Sequence, residues 1–332
     1  MTDPALIRGI GLFVPLLVVA GMLRYRAPVR LEIAALILGV GWNALVLAAV
    51  NAVALSAGWW AFEADGGVVA GIPVDLLLGW AVLWGGVGVL ALRWLPLPLV
   101  VGLTAWIDLA VMPLGEPVVR LDNSWLTGEV VAIATALVPG LLLARWTVSG
   151  RHLALRVTMQ GVLATGLMMV LPVVLSDVPS RPGWALAIVV QLALIPGALA
   201  IAAVVEFART GRGTPLPYDP PVHLVTSGPY AYVRNPMQTA MAFLYLLLGI
   251  LDPRFLLGVV VVMSYGMGLA AWHENVQLRE LHGGAWTRYR SSVRPWLPRT
   301  RPYPGMPPAV IWIAHECGRC APVAAWFLRR SP

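Results

Sequence analysis

LVTSGPYAYVRNPMQ (Leu224–Gln238) and HENVQLRELHGGAWTRYRSSVRPWLP (His273–Pro298) frame the part of this 332-residue chain on which its reading turns. Between them lie two apolar stretches, near 237–251 and 255–272. Gly228 and Pro229 predict a turn. Pro236 predicts the first position of a helix, where a missing N–H costs little. The next N–H groups of that helix have no carbonyl of their own helix to bond, so they can receive an anion, with Arg234 as a charge-assisted partner. Arg234 on its own reads equally as a side chain reaching for phosphate headgroups. In the second stretch, helical spacing puts Glu274, Gln277, Leu278 and Leu281 along one side and turns Arg279 elsewhere. A tail follows in which aromatic and Arg residues alternate, as they do where a chain lies at a membrane surface.

Working outward, the whole chain has the same apolar character. It is 59% hydrophobic and 12% charged, with a mean hydropathy of +0.78, well outside the balance of a soluble domain. This predicts an all-α, polytopic integral membrane protein. Apolar segments fall near 8–23, 31–55, 72–92, 94–114, 125–144, 157–175, 184–206, 237–251 and 255–272, about nine transmembrane helices, most close to the roughly 20 residues that cross a bilayer. The first is followed by Arg24, Arg26 and Arg30 without a small-residue cleavage site, so it reads as a retained helix and not a signal peptide.

All 23 basic residues are Arg, and the formal net charge is +7. Their distribution explains the charge better than a nucleic-acid partner does. With the N-terminus outside, Arg24, Arg26, Arg30, Arg93, Arg145, Arg151, Arg156, Arg209, Arg212, Arg234 and the tail fall on the cytosolic side. Only Arg8, Arg120, Arg181 and Arg254 then lie outside. The positive-inside rule favours this topology over its inverse, and a bacterial inner membrane is the expected location.

Ionisable groups at membrane depth are costly and mark functional positions. Asp108 is the deepest acid in the first seven segments and is a candidate for contacting substrate. Glu32, Asp75 and Glu129 lie near predicted span ends and read as interfacial or helix-end acids. Asn43, Asn51, Thr104, Gln160 and Gln191 read as interhelical hydrogen-bonding groups. Gly85, Gly86 and Gly88 in WGGVGVL read as sites of close helix packing, since no strand precedes them as a phosphate loop requires. The stretch TGRGTPLPYDPPVHLV (210–225) is too rich in Gly and Pro for a helix and reads as a connection. It carries Tyr218 and His223, the latter an ordinary loop histidine or a proton acceptor.

The frame of Gly228, Tyr230, Arg234, Asn235, Pro236 and Met237, followed by Glu274, Leu278, Gly283, Trp286, Tyr289 and Pro298, resembles the membrane-embedded methyltransferases that include isoprenylcysteine carboxyl methyltransferase and the phospholipid N-methyltransferases. The resemblance covers about 75 residues. It implies S-adenosyl-L-methionine as cofactor, bound by Gly228, Tyr230, Tyr232, Val233, Arg234, Asn235, Pro236, Met237, Glu274, Leu278 and Tyr289. It further implies catalytic roles for Arg234, His273 and Glu274, a lipid-like acceptor, and a tail in which Trp286, Tyr289 and Arg290 close over cofactor or substrate. Two positions depart from the family pattern. Gln238 stands where a Tyr is usual, and His273 stands in place of one of two acids, either lining the pocket or acting as a base toward an amine.

These readings divide the chain into an N-terminal bundle (1–206), a cofactor-binding core (207–304) and a tail (305–332). The tail holds the only two cysteines, Cys317 and Cys320. An apolar run, Cys-x-x-Cys and a second apolar run resemble the opening of a thioredoxin-like domain. The pair reads as a redox remnant with a thiol partner, as reduced thiols, or, least readily, as half of a metal site with His315; no metal is expected. Three other functions fit the same sequence: an NADPH-dependent reductase of the sterol-reductase type, a transporter or scaffold built on the first seven helices, and a redox carrier using the cysteines.

Overall fold

The computed structural model describes residues 3–215, 221–266, 268 and 271–305, and of residues 271–275 it describes the backbone. Among these, seven helices are long and apolar enough to cross a membrane: α1 (Pro4–Tyr25), α2 (Arg30–Ala57), α3 (Val74–Ala91), α4 (Leu97–Gly115), α5 (Trp125–Ser149), α6 (Leu153–Val174) and α7 (Gly183–Gly211). Two shorter apolar helices follow, α8 (Pro236–Leu251) and α9 (Phe255–Tyr265), then α10 (Ala271–Ser292), which is broken at Gly283. As described, α8 and α9 have 16 and 11 residues, and helical backbone continues beyond α9 at Gly266 and Gly268. The described residues are mostly helical, with four short strands among them, in which β1 (Trp60–Phe62) pairs with β4 (Val119–Leu121) and β2 (Val68–Val69) with β3 (Ile72–Pro73), all antiparallel. They tie down the connections after α2 and α4.

The helices begin where capping groups allow. Asp3 accepts from the Ala5 N–H at 2.9 Å ahead of Pro4, and the Glu32 carboxylate accepts from the Val29 N–H at 2.9 Å, each satisfying a donor that has no partner within the helix. At the α1–α2 end of the bundle Glu32 also binds Arg93 (2.9 Å) and Arg26 (3.3 Å). At the opposite end Arg8 binds Asp75 (2.7 Å). Both acids thus sit at helix ends, as their sequence positions predict.

Packing in the first half depends on small residues. Ideal Cβ atoms placed on Gly39 of α2 would come within 2.9 Å of the Gly85 carbonyl oxygen, and one on Gly86 within 2.9 Å of Val19. The WGGVGVL stretch therefore lets the backbones of α2 and α3 meet and leaves room for the Val19 side chain of α1. The core around them holds Leu47, Trp60, Trp84, Leu137 and Leu141, all 2% exposed or less.

Prolines inside helices account for several cross-links between them. A proline lacks the N–H that would bond the carbonyl four residues earlier. Pro139 thus releases the Thr135 carbonyl, and Trp42 Nε1 of α2 donates to it at 3.2 Å. Pro172 releases the Met168 carbonyl, and the Tyr245 hydroxyl of α8 donates to it at 2.7 Å. Pro15 releases the Gly11 carbonyl, against which the backbone of Gly79 packs with no room for a side chain. The helices just before Pro139 and Pro172 widen into single π-helical turns, Ile133–Leu137 and Gly166–Val170.

Two expectations are amended. Asn43 and Asn51 donate to carbonyls of their own helix, Gly39 and Leu47, both at 2.8 Å, though Asn51 also accepts from Trp60 Nε1 at 2.9 Å; an amide one turn from a carbonyl satisfies itself before it can reach a neighbouring helix. Gln191 lies on an exposed face.

Removing the Tyr245 hydroxyl leaves the Met168 carbonyl without its donor at membrane depth. Tyr245→Phe is expected to destabilise the protein by about 1–3 kcal/mol. Denaturant titration in bicelles, with the exposed Tyr25→Phe as a control that changes little, measures it.

Candidate functional site

The helix α7 continues past residue 206 and packs along α8. Near its end Glu206 accepts hydrogen bonds from Thr210 Oγ1 at 2.8 Å and from Ser227 Oγ, so one carboxylate fastens the loop that opens LVTSGPYAYVRNPMQ to the helix before it. Gly228 is required twice over. Its φ is +56°, which disfavours any side chain, and a Cβ there would stand 3.0 Å from Glu206 Cγ. Gly228–Ala231 then forms one 3-10 turn that buries Tyr230 beside Phe207, with ring centroids 6.0 Å apart. Pro236 opens α8 at its first turn, as expected.

The tail after α10 returns along this loop and bonds it repeatedly. The N–H groups of Arg234 and Asn235 donate to the carbonyls of Arg294 (2.9 Å) and Pro295 (3.2 Å). Those of Arg299 and Tyr303 donate to Tyr232 (2.9 Å) and Ala231 (2.8 Å). The Tyr289 hydroxyl donates to the Tyr230 carbonyl at 2.8 Å, while the Tyr289 ring stands edge-on to Tyr303 at 5.4 Å. Arg234 Nη1 donates to the Arg290 carbonyl at 3.1 Å, close to the C-terminal end of α10, where a cation also meets the negative end of the helix dipole. Its guanidinium stands 5.9 Å from the Trp286 ring centre.

The structure therefore brings together Tyr230, Tyr232, Val233, Arg234, Asn235, Trp286, Tyr289 and Arg290. Trp286, Tyr289, Tyr230 and Val233 are buried, whereas Arg290 is exposed and contributes its carbonyl. Leu278 packs against the Trp286–Tyr289–Val293 cluster. Met237 packs with Tyr230 and Val225. The side chains of His273 and Glu274 lie outside the described residues, although their backbone belongs to the first arm of α10. Tyr218, His315, Cys317 and Cys320 also lie outside them. Gln277, with its amide oxygen turned to accept, receives Arg30 Nη2 at 2.9 Å and so ties α10 to the start of α2.

Several buried polar atoms here have no hydrogen-bond partner among the described residues: Gln238 Oε1, Trp286 Nε1, Trp296 Nε1 and Arg299 Nη1. Gln238 Oε1 and the Trp296 ring both press against Gly266, where a Cβ would meet them. Such atoms cost free energy unless a partner arrives. Sequence reading missed Glu206, Trp296 and Arg299. Glu206 carried a signal, because an acid in the last turns of a helix faces the negative end of the dipole and needs a specific donor. Among the described residues no group of three or more His, Cys, Asp or Glu is placed to hold a metal ion.

Asp108, expected to contact substrate, lies away from this junction, in the middle of the N-terminal bundle. Glu129 departs from its expected interfacial place. Although one turn from the start of α5, it is 1% exposed, because the close approach of Gly128 to Trp59 and Trp60 sinks that turn into the core beside Asp108.

The chain matches no protein-family model, no curated protein and no solved structure.

His282 ends the first arm of α10. Burial, with His223 nearby, holds its imidazole below the ordinary range, and its Nε2 has no partner. The unfolded chain then takes up a proton at higher pH than the folded one, so this segment should be at full stability above about pH 6.5 and lose stability as the pH falls below it. Hydrogen exchange of α10 between pH 8 and 5 should show faster opening at the acid end, and His282→Gln should flatten the profile.

Proposed function

We propose that the chain is an integral-membrane methyltransferase that transfers the methyl group of S-adenosylmethionine to a lipid-like or amphipathic acceptor bearing a carboxylate or an amine. The observation that carries this reading is the joining of the two matched stretches. Separated in sequence by α8 and α9, they meet at one end of the bundle through two backbone hydrogen bonds, at Arg234 and Asn235, and the Tyr289–Tyr230 bond, and Arg299 and Tyr303 just beyond the second stretch add two more backbone bonds to the loop. A nine-segment chain with its N-terminus outside, in a bacterial inner membrane, would place that end in the cytosol, where the methyl donor is found.

The residues suit such a cofactor. The donor molecule offers an ammonium, a carboxylate and a purine, and the junction holds buried atoms that lack partners of both kinds, the acceptor Gln238 Oε1 and the donors Trp296 Nε1, Trp286 Nε1 and Arg299 Nη1. Arg234, engaged with the Arg290 carbonyl and the Trp286 ring, acts here as a positioning residue that holds the tail across the loop. Glu274 is assigned to cofactor binding and His273 to the acceptor side.

When bound by the Gly228–Met237 loop with Glu274, Leu278 and Tyr289, the cofactor would supply an electrophilic methyl group and keep the bonding electron pair on its sulfur, and an amine acceptor would then give up a proton, with His273 as its base. The protein's part is to align the two and exclude water, for which the buried tail cluster Trp286, Tyr289 and Val293 is suited.

Calorimetry on detergent-purified protein with S-adenosylmethionine and with NADPH tests the proposal. Saturable S-adenosylmethionine binding is expected, weakened about tenfold or more, roughly 1.4 kcal/mol, by Glu274→Gln and by Arg234→Ala. Folded protein that ignores S-adenosylmethionine overturns the reading, and binding of NADPH in its place establishes the reductase.

A further inference from the structure

The interior of the N-terminal bundle contains a second arrangement that methyl transfer leaves unused. Asp108 of α4 and Glu129 of α5 are 6% and 1% exposed, and their carboxyl groups face each other closely enough to interact. Asp108 Oδ2 and both Glu129 oxygens are buried without a hydrogen-bond partner. The Trp80 indole of α3 is directed at Asp108, yet Trp80 Nε1, like Nε1 of the fully buried Trp84 beside it, completes no hydrogen bond. The other polar groups of the surrounding helices, Asn43 and Asn51 of α2 and Thr104 of α4, are neutral. No arginine partners either acid among the described residues. The ion pairs Arg93–Glu32, Arg8–Asp75 and Arg120–Glu63 involve other acids, on helix ends or in the connection after α2.

Two ionised carboxylates cannot lie side by side in such surroundings without a positive partner. The described residues supply none, so a cation from solution is the partner that would complete the pair. The Trp80 indole is directed at the pair, and among the described residues no third His, Cys, Asp or Glu joins it to hold a metal ion, which would need more ligands than two carboxylates. A proton needs only the two carboxyl groups. We propose that Asp108 and Glu129 form an intramembrane proton-binding site, in which one exchangeable proton is shared between the two carboxyl groups. Single π-helical turns stand next to both walls of the site, Leu83–Val87 around Trp84 and Ile133–Leu137 one turn beyond Glu129. Such turns recur where a helix serves function more than regularity.

Infrared spectroscopy of the full chain in lipid nanodiscs tests this. At neutral pH the wild type should show the carbonyl stretch of a protonated carboxyl group, shifted by deuterium oxide, unchanged by sodium, moved in frequency in Asp108→Asn and in Glu129→Gln, and lost when the two substitutions are combined. As a readout independent of variants, dicyclohexylcarbodiimide, which adds to protonated carboxyls in apolar surroundings, should label Asp108 or Glu129 of the wild type, by peptide mass mapping, less and less as pH rises. A band that sodium abolishes at constant pH overturns the proton assignment in favour of a sodium site. Absence of both the band and the label overturns the site itself. Neither result bears on S-adenosylmethionine binding, so the two proposals fail separately.

Discussion

A backbone carbonyl at membrane depth has no water to bond, and that constraint organises the bundle. At three of the helix-interior prolines a neighbouring helix responds: Trp42 donates to Thr135, Tyr245 donates to Met168, and the bare backbone of Gly79 packs on Gly11. Each response fixes one helix against another at a named height. Tyr245 matters most to the later part of the chain, because it joins α8, which starts at the candidate site, to α6 of the first bundle. Apolar contact alone could not set these heights, since lipid tails are as apolar as the helices they would replace.

The candidate site is built differently. Its loop contains no regular structure beyond one 3-10 turn, and its order comes from outside. Glu206 fastens the loop at its start, and the tail after α10 bonds it from Ala231 to Asn235. Arg234 acts on its neighbours: its charge goes to the end of a helix and the face of an indole, both part of the protein, and this holds the tail across the loop.

How much of this was legible in the sequence depends on range. Helix positions follow from runs of apolar residues, Pro236 marks the start of α8, and the glycines of WGGVGVL announce a close approach, because each signal is local. Asp108 stood out by its depth within an apolar run. Glu129 did not, because its distance from the helix start suggested a surface place, and only the three-dimensional fit of Gly128 against two tryptophans reveals that the turn is sunk. The pairing of the two acids is likewise invisible along the chain, since it depends on which faces of α4 and α5 meet. The loop and tail could be matched as a frame, but which backbone groups join them could not, since hydrogen bonds between irregular segments follow no period.

The break in α10 gives the site a mechanical character. Gly283 adopts φ 50° and ψ −124°, a conformation of glycine, and separates an arm held to α2 through Gln277 and Arg30 from an arm held to the loop through Tyr289 and Arg234. The two arms are thus clamped to different parts of the molecule and joined by one residue. A difference in direction between them falls on two torsion angles, so Gly283 is the elbow between an arm fastened to α2 and an arm packed against the loop.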